Sequence, residues 1–138
     1  MVIGLIADTH GLLRPGVASV FAGVDLIVHA GDVGGNAVIA GVSALAPTMA
    51  VSGNVDDRQD PMLAVERSVS VGSLTMHVSH GGELGRPTPE GLLARYDADI
   101  LVFGHPHRVL EHRAADGRVV LNPGSAGPRR FRLPTTLM

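Results

Sequence analysis

Apolar and polar positions along this chain follow two periods in turn. Val2 to Ala7 is a short continuous apolar run, the pattern of a buried strand. Leu13, Val17, Val20 and Phe21 then recur at helical spacing, with Pro15 in the first turn and Gly23 after the last. Asp25–His29 predicts a second strand. A second helix follows, with Asn36 as its N-cap, Val38, Ile39, Val42 and Leu45 on one face, and Pro47 as its stop. Thr48–Val51 predicts a third strand. The order strand, helix, strand, helix, strand implies parallel pairing through helical crossovers.

The period then changes to two. Val65, Arg67, Val69 and Val71 alternate with Glu66, Ser68 and Ser70, and after Gly72-Ser73 the residues Leu74, Met76 and Val78 alternate with Thr75 and His77. That is a hairpin with a two-residue turn. Pro87–Tyr96 predicts a third helix, capped by Thr88 and with Leu92, Leu93 and Tyr96 inward. Asp99–Phe103 is another buried strand. Val109–Arg113 and Arg118–Leu121 flank Asp116-Gly117 as a second hairpin, and Asn122-Pro123-Gly124-Ser125 is a turn. The tail, Pro128–Met138, carries arginines and then an apolar stretch, so the last strand is expected to be short or absent. No repeat, low-complexity stretch or linker interrupts residues 1–138, which predicts a single domain.

Composition narrows the chemistry. A hydrophobic fraction of 45% over 138 residues supports a real core and argues against disorder. A net charge of -2 gives no basic footprint for nucleic acid, so nucleic acid is not an expected partner. The longest apolar runs fall far short of a membrane span, and the N-terminus reads as a strand start rather than a signal peptide, so a cytoplasmic location is the default expectation. Cysteine is absent, which excludes disulfides and thiolate metal sites. Any metal must sit on His, Asp, Glu, Asn or water.

Ligand-type residues follow one strand after another: Asp8 and His10, then Asp32, then Asn54, then His80, then His105 and His107 in Gly104-His105-Pro106-His107. Ligands collect at the carboxyl ends of strands in α/β sheets, so residues scattered over the chain can form one cluster. Seven such side chains exceed the needs of one ion. They suit two ions about 3.5–4 Å apart with a carboxylate between them, a clamp for in-line attack on phosphorus.

The blocks Asp8-x-His10, Gly31-Asp32, Gly53-Asn54-x-Asp56, His80-Gly81 and Gly104-His105-x-His107 resemble the calcineurin-like metallophosphoesterase superfamily, in its order and over most of the chain. The length, the lack of a cap insertion and the Asn122–Ser125 turn look like the small YfcE-like branch, which also contains the retromer scaffold subunit of eukaryotes. The resemblance implies an α/β fold, a four-layer α-β-β-α sandwich of two mixed sheets without a cap domain. It implies a metal-dependent phosphoesterase, most of all a phosphodiesterase, acting on a small phosphoester with a bridging hydroxide.

Asp8, His10 and His107 match ligands of a first divalent ion, Asn54, His80 and His105 match those of a second, and Asp32 matches the bridging carboxylate. Asp32, Asn54, His80 and Asp56 make up the candidate catalytic set, with Asp56 expected to hold the Asn54 turn through backbone N–H groups. Manganese is the first expectation for both ions, with iron, zinc, nickel or cobalt as alternatives. Branch members often associate, so a homo-oligomer is a further expectation. One position departs from the larger superfamily: many members carry a histidine directly after Gly-Asn, and here it is Val55, which cannot carry a proton. The alternative readings are a protein-binding scaffold of the same fold and a small metal-binding sensor.

Other residues carry two readings each. His29 either supports Asp32 or packs as a strand histidine. Arg58 either reaches a substrate phosphate or is an exposed loop arginine. His77 and His112 read as structural or surface residues, and Gly81 and Gly82 let the backbone approach the site.

Overall fold

In a computed structural model the described residues are 1–129 and 132–138. Strands β1 (Ile3–Ile6), β2 (Leu26–His29) and β3 (Thr48–Ala50) pair in parallel in that order, with Ile3 opposite Leu26 and Ile27 opposite Thr48. Helices α1 (Gly16–Val20) and α2 (Asn36–Ser43) are the crossovers. The second sheet is mixed and has the order β4-β5-β6-β8-β7. Its strands are β4 (Glu66–Val71), β5 (Leu74–Ser79), β6 (Ile100–Val102), β7 (Val109–Arg113) and β8 (Val119–Pro123). The β4–β5 hairpin closes with Val71 opposite Leu74, and Gly72 supplies the positive φ of 62° that the turn demands. Helix α3 (Pro89–Arg95) links β5 to the parallel β6.

Neighbouring residues on each buried strand point to opposite faces, and that builds the layers. Leu5, Ala7, Val28, Ala30 and Val51 from the first sheet meet Met76, Val78 and Val102 from the second. Their neighbours Ile6 and Ile27 point the other way and pack under α1 and α2 with Val17, Phe21 and Val42. Leu101, Phe103 and Val120 pack under α3 with Leu92. The result is helix, sheet, sheet, helix, as the resemblance implies. Fully burying one such aliphatic or aromatic side chain stabilises by about 1.5–3 kcal/mol, so the interleaved strands carry most of the fold. Phe21 reaches the sheet because Gly4 leaves room: a Cβ there would stand 2.8 Å from the ring.

Several local expectations are corrected. Helix α1 is shorter than the Leu13–Phe21 periodicity suggests, Pro15 is its N-cap residue, and Val20 is 61% exposed. Asn36 is the first helical residue of α2 rather than its cap; Gly35 precedes it and no side chain caps the end. Leu45 lies past the helix and is exposed. Asn122 and Pro123 end strand β8 instead of forming a turn. A 3-10 turn, Gly82–Leu84, follows β5, where the sequence pattern predicts no element. In the tail, Thr135 bridges Ser125, and Met138 and Leu5 exchange backbone hydrogen bonds beside β1. Arg130 and Phe131 of the arginine-bearing stretch lie outside the described residues. Among the described residues no helix is long and apolar enough to cross a membrane.

Candidate metal centre

Five loops meet at one edge of the sandwich, those following β1, β2, β3, β5 and β6. Backbone hydrogen bonds join them: Asp8 N–H donates to Gly31 O, His10 N–H to Asp32 O, and Gly104 N–H to His80 O. The sharp exits from the strands require unusual backbone. Among the described residues the non-glycine positions with positive φ are Asp8 (54°), His10 (46°), Asp32 (52°), His105 (74°) and His107 (57°). Sparsely populated backbone states of this kind cost about 1–3 kcal/mol each and persist only where the surroundings over-determine them. Every one of them carries a predicted ligand.

Asp8, His10, Asp32 and His107 each offer one ligand atom, and those atoms lie within 4.8 Å of one another. His107 Nε2 is 3.1 Å from Asp8 Oδ1 and 3.3 Å from His10 Nε2. Asp32 faces two ways, with Oδ2 3.7 Å from His10 Nε2 and Oδ1 3.4 Å from His80 Nε2. The His80 ring meets the His105 ring edge-on at 5.2 Å, and Asn54 lines one small cavity with His80 and Gly82. The edge thus gathers Asp8, His10, Asp32 and His107 tightly, with His80, His105 and Asn54 adjoining.

The donors fit cations. Asp8 Oδ1 and His80 Nε2 are buried and have no hydrogen-bond partner among the described residues, although both point into the cluster. Buried polar atoms are rarely left so. His80 Nδ1 lies 2.9 Å from Ala30 O, so Nδ1–H donates to that carbonyl and Nε2 is presented as the ligand atom. Burial disfavours the His80 imidazolium, yet the Asp32 carboxylate, the Ala30 carbonyl and Asp8 together raise its pKa. Burial likewise opposes ionisation of Asp32, but His80 and the Val55 N–H hold its carboxyl well below the usual range. In the metal-free chain the site draws positive charge, and a cation satisfies the same need. Glycine lets the His105 loop approach closely: a Cβ on Gly104 would lie 2.5 Å from Ala30 O and 3.0 Å from His80 Nδ1.

Supporting contacts come from far along the chain. Asp56 accepts from the N–H groups of Val33, Gly34 and Gly53, tying the Asn54 turn to the Asp32 loop. His29 contacts Thr9 and not Asp32: its Nε2 lies 2.9 Å from the Thr9 hydroxyl, which donates to Val33 O. Burial pushes the His29 pKa down to about 4, so the ring is neutral and Nε2–H is the donor. His77 stacks on Tyr96 at 3.8 Å, a structural role. Arg58 is exposed and lines the cavity of Asn54 and His80. No role for Asn122 or Ser125 is legible from their neighbours in the chain. Asn122 is fully buried, donates to Gly104 O and accepts from Gly124 N–H, while Ser125 donates to Asp8 O. The Asn-Pro-Gly-Ser string was the available signal, but its contacts lie across the sheet.

Fold and site together define an α/β protein with a carboxylate–histidine cluster, of a kind that could hold a cation, at the carboxyl ends of its strands. The chain belongs to the calcineurin-like phosphoesterase superfamily, whose domain profile matches residues 1–138. A probable metallophosphoesterase of Methanothermobacter thermautotrophicus is 31% identical over 148 aligned residues, covering 100% of this chain and 84% of that one. Among solved structures, wild-type Vps29 of Entamoeba histolytica complexed with zinc superposes with a TM-score of 0.81 at 25% identity, covering 99% of this chain and 81% of that one. A structure described as a novel archaeal phosphodiesterase gives a TM-score of 0.70 at 24% identity over 91% of this chain and 85% of the other, a likeness of fold alone. By family, then, this is a metallophosphoesterase.

Proposed function

We propose that this chain is a phosphodiesterase with a dinuclear centre. Asp8, His10 and His107 would hold one divalent ion, Asn54, His80 and His105 the other, and Asp32 would lie between them. Manganese is our first choice, since carboxylate and amide oxygens share the site with imidazole, and iron, zinc, nickel and cobalt are the alternatives. When bound, such a pair supplies an acidified water near neutral pH and positive charge against the phosphoryl oxygens. The observation that carries the reading is Asp32, with one oxygen toward His10 and the other toward His80.

The chain's own residues set the rest. Asp56 fixes the turn that presents Asn54, through three backbone N–H groups on two loops. His29, Thr9, Asn122 and Ser125 brace the loops that present Asp8, His10 and His105. Hydrolysis adds water across one P–O bond of a diester, leaving a phosphomonoester and an alcohol. The departing oxygen needs a proton, and Val55 cannot provide it. Val55 is 54% exposed and lines a broad groove with His10 and Leu63, a place for one ester group of the substrate.

The test is reconstitution. Metal-stripped protein receives each ion in turn, with bound metal counted and hydrolysis of bis-p-nitrophenyl phosphate followed. Two ions per chain and metal-dependent turnover are expected. One ion per chain removes the dinuclear centre, and loading without turnover favours a scaffold. That second reading draws on the Vps29 likeness, including a Chaetomium thermophilum Vps29 complexed with a cyclic peptide. Since a Vps29 structure also carries zinc, metal uptake alone does not separate the two readings.

A further inference from the structure

The Asn54 turn separates two recesses. On one side is the broad groove lined by His10, Val55 and Leu63, about 570 Å³. On the other is a small cavity of about 120 Å³ lined by Asn54, Arg58, His80, Gly82 and Glu83. With a water occupying about 30 Å³, the small cavity is sized for a phosphoryl group or a few waters. His80 forms part of its wall and is nearly fully buried, with Nε2 3.4 Å from Asp32 Oδ1 and in no hydrogen bond. Arg58 makes no hydrogen bond or ion pair among the described residues. Glu83 lines the same cavity without forming an ion pair with Arg58, and its carboxylate accepts from the Tyr96 hydroxyl at 3.0 Å. An unpaired guanidinium beside two proposed ligands, in a space fit for a small anion, has the chemistry of a phosphoryl-oxygen receptor.

We propose that Arg58 is a specificity-determining residue that binds the unesterified oxygen of a phosphoryl group. This rests on the phosphoesterase reading of the site. A diester directs its second substituent where a monoester presents an anionic oxygen. An anionic oxygen in the small cavity meets the Arg58 guanidinium, and an ester substituent in its place forfeits that charge-assisted contact. Arg58 therefore favours inorganic phosphate and monoesters, including the monoester that diester cleavage releases, and diester hydrolysis should show product inhibition that depends on Arg58.

The test is a calorimetric titration of manganese-loaded protein with inorganic phosphate. Wild type, Arg58→Ala and Arg58→Lys are compared, with exposed Arg113→Ala as a control for loss of a positive charge. Arg58→Ala should weaken phosphate binding by roughly tenfold or more, the effect of losing a charge-assisted contact. Arg58→Lys should recover part of it and Arg113→Ala should match wild type. Inhibition of bis-p-nitrophenyl phosphate cleavage by p-nitrophenyl phosphate should weaken in parallel, and by a larger factor than diester kcat/KM falls. Equal affinity in wild type and Arg58→Ala, equal losses in Arg58→Ala and Arg113→Ala, or no phosphate binding by wild type overturns the proposal. Arg58-dependent phosphate binding by a protein that cleaves no ester would keep it and overturn the phosphodiesterase reading instead.

Discussion

At the scale of single residues, Asp32 is decisive because its two oxygens face two groups of ligands. Asp32→Ala should release at least one metal ion per chain and abolish diester turnover. His112→Ala, on β7, should leave both near wild type. Metal analysis beside initial rates makes the comparison, and equal losses in the two variants would mean that stability was being read as chemistry. Val55 carries a second expectation. General acid catalysis is typically worth about 10²–10⁴-fold, and no proton donor stands at this place. Wild-type kcat/KM should therefore fall steeply as the leaving-group pKa rises across a series of esters, and Val55→His should flatten that slope. A flat wild-type profile would remove the missing acid as the source of substrate preference.

At the scale of elements, two substitutions separate local from long-range control. Thr88 caps α3 by accepting from Gly91 N–H at 3.1 Å, with Pro89 opening the helix. Thr88→Ala should cost about 1 kcal/mol, seen as a lower urea midpoint at unchanged m-value with metal content intact. Gly53 acts across elements: a Cβ there would collide with the backbone nitrogen and Oδ1 of Asp32. Gly53→Ala should lose metal uptake while far-UV circular dichroism stays native-like. Gly16→Ala, where an added Cβ meets nothing within 4 Å in α1, should be neutral or stabilise by about 0.4–1 kcal/mol. Full metal loading by Gly53→Ala would show that the Asp32 loop can yield.

At the scale of the whole molecule, loops from two sheets close on one charged cluster, so a metal bound there would couple to folding. A ligand bound only by the native state stabilises by about 2.7 kcal/mol at a hundred times its Kd. Melting temperature should rise with added metal and fall back with a chelator, and the shift should vanish in Asp32→Ala. An unchanged melting temperature in wild type would mean that the cluster takes up no ion under those conditions. The tail belongs to this scale as well: Ala126 N–H donates to Ala7 O, and Met138 pairs with Leu5, so the end of the described chain braces the strand that presents Asp8.

Much of this was legible in the sequence. Period two gave the first hairpin and Asp116-Gly117 the second, period 3.6 gave three helices, Thr88 announced a cap, and each strand end displayed its ligand-type residue. These features depend on near neighbours, through side-chain alternation, turn sterics and hydrogen bonds a few residues apart. The order of strands in the second sheet, the left-handed backbone at Asp8, His10, Asp32, His105 and His107, and the tail beside β1 were not legible. The Asp56 bond to Gly53 N–H was legible, but its reach to Gly34 and the partners of His29, Asn122 and Ser125 were not, lying 22, 20, 18 and 117 residues away. An Asn or Ser in a turn-like string has the same local preferences whether exposed or buried. Which backbone group it meets is decided only when two sheets pack and bring their loops to one edge, because the cost of leaving a buried polar group unpaired arises only there.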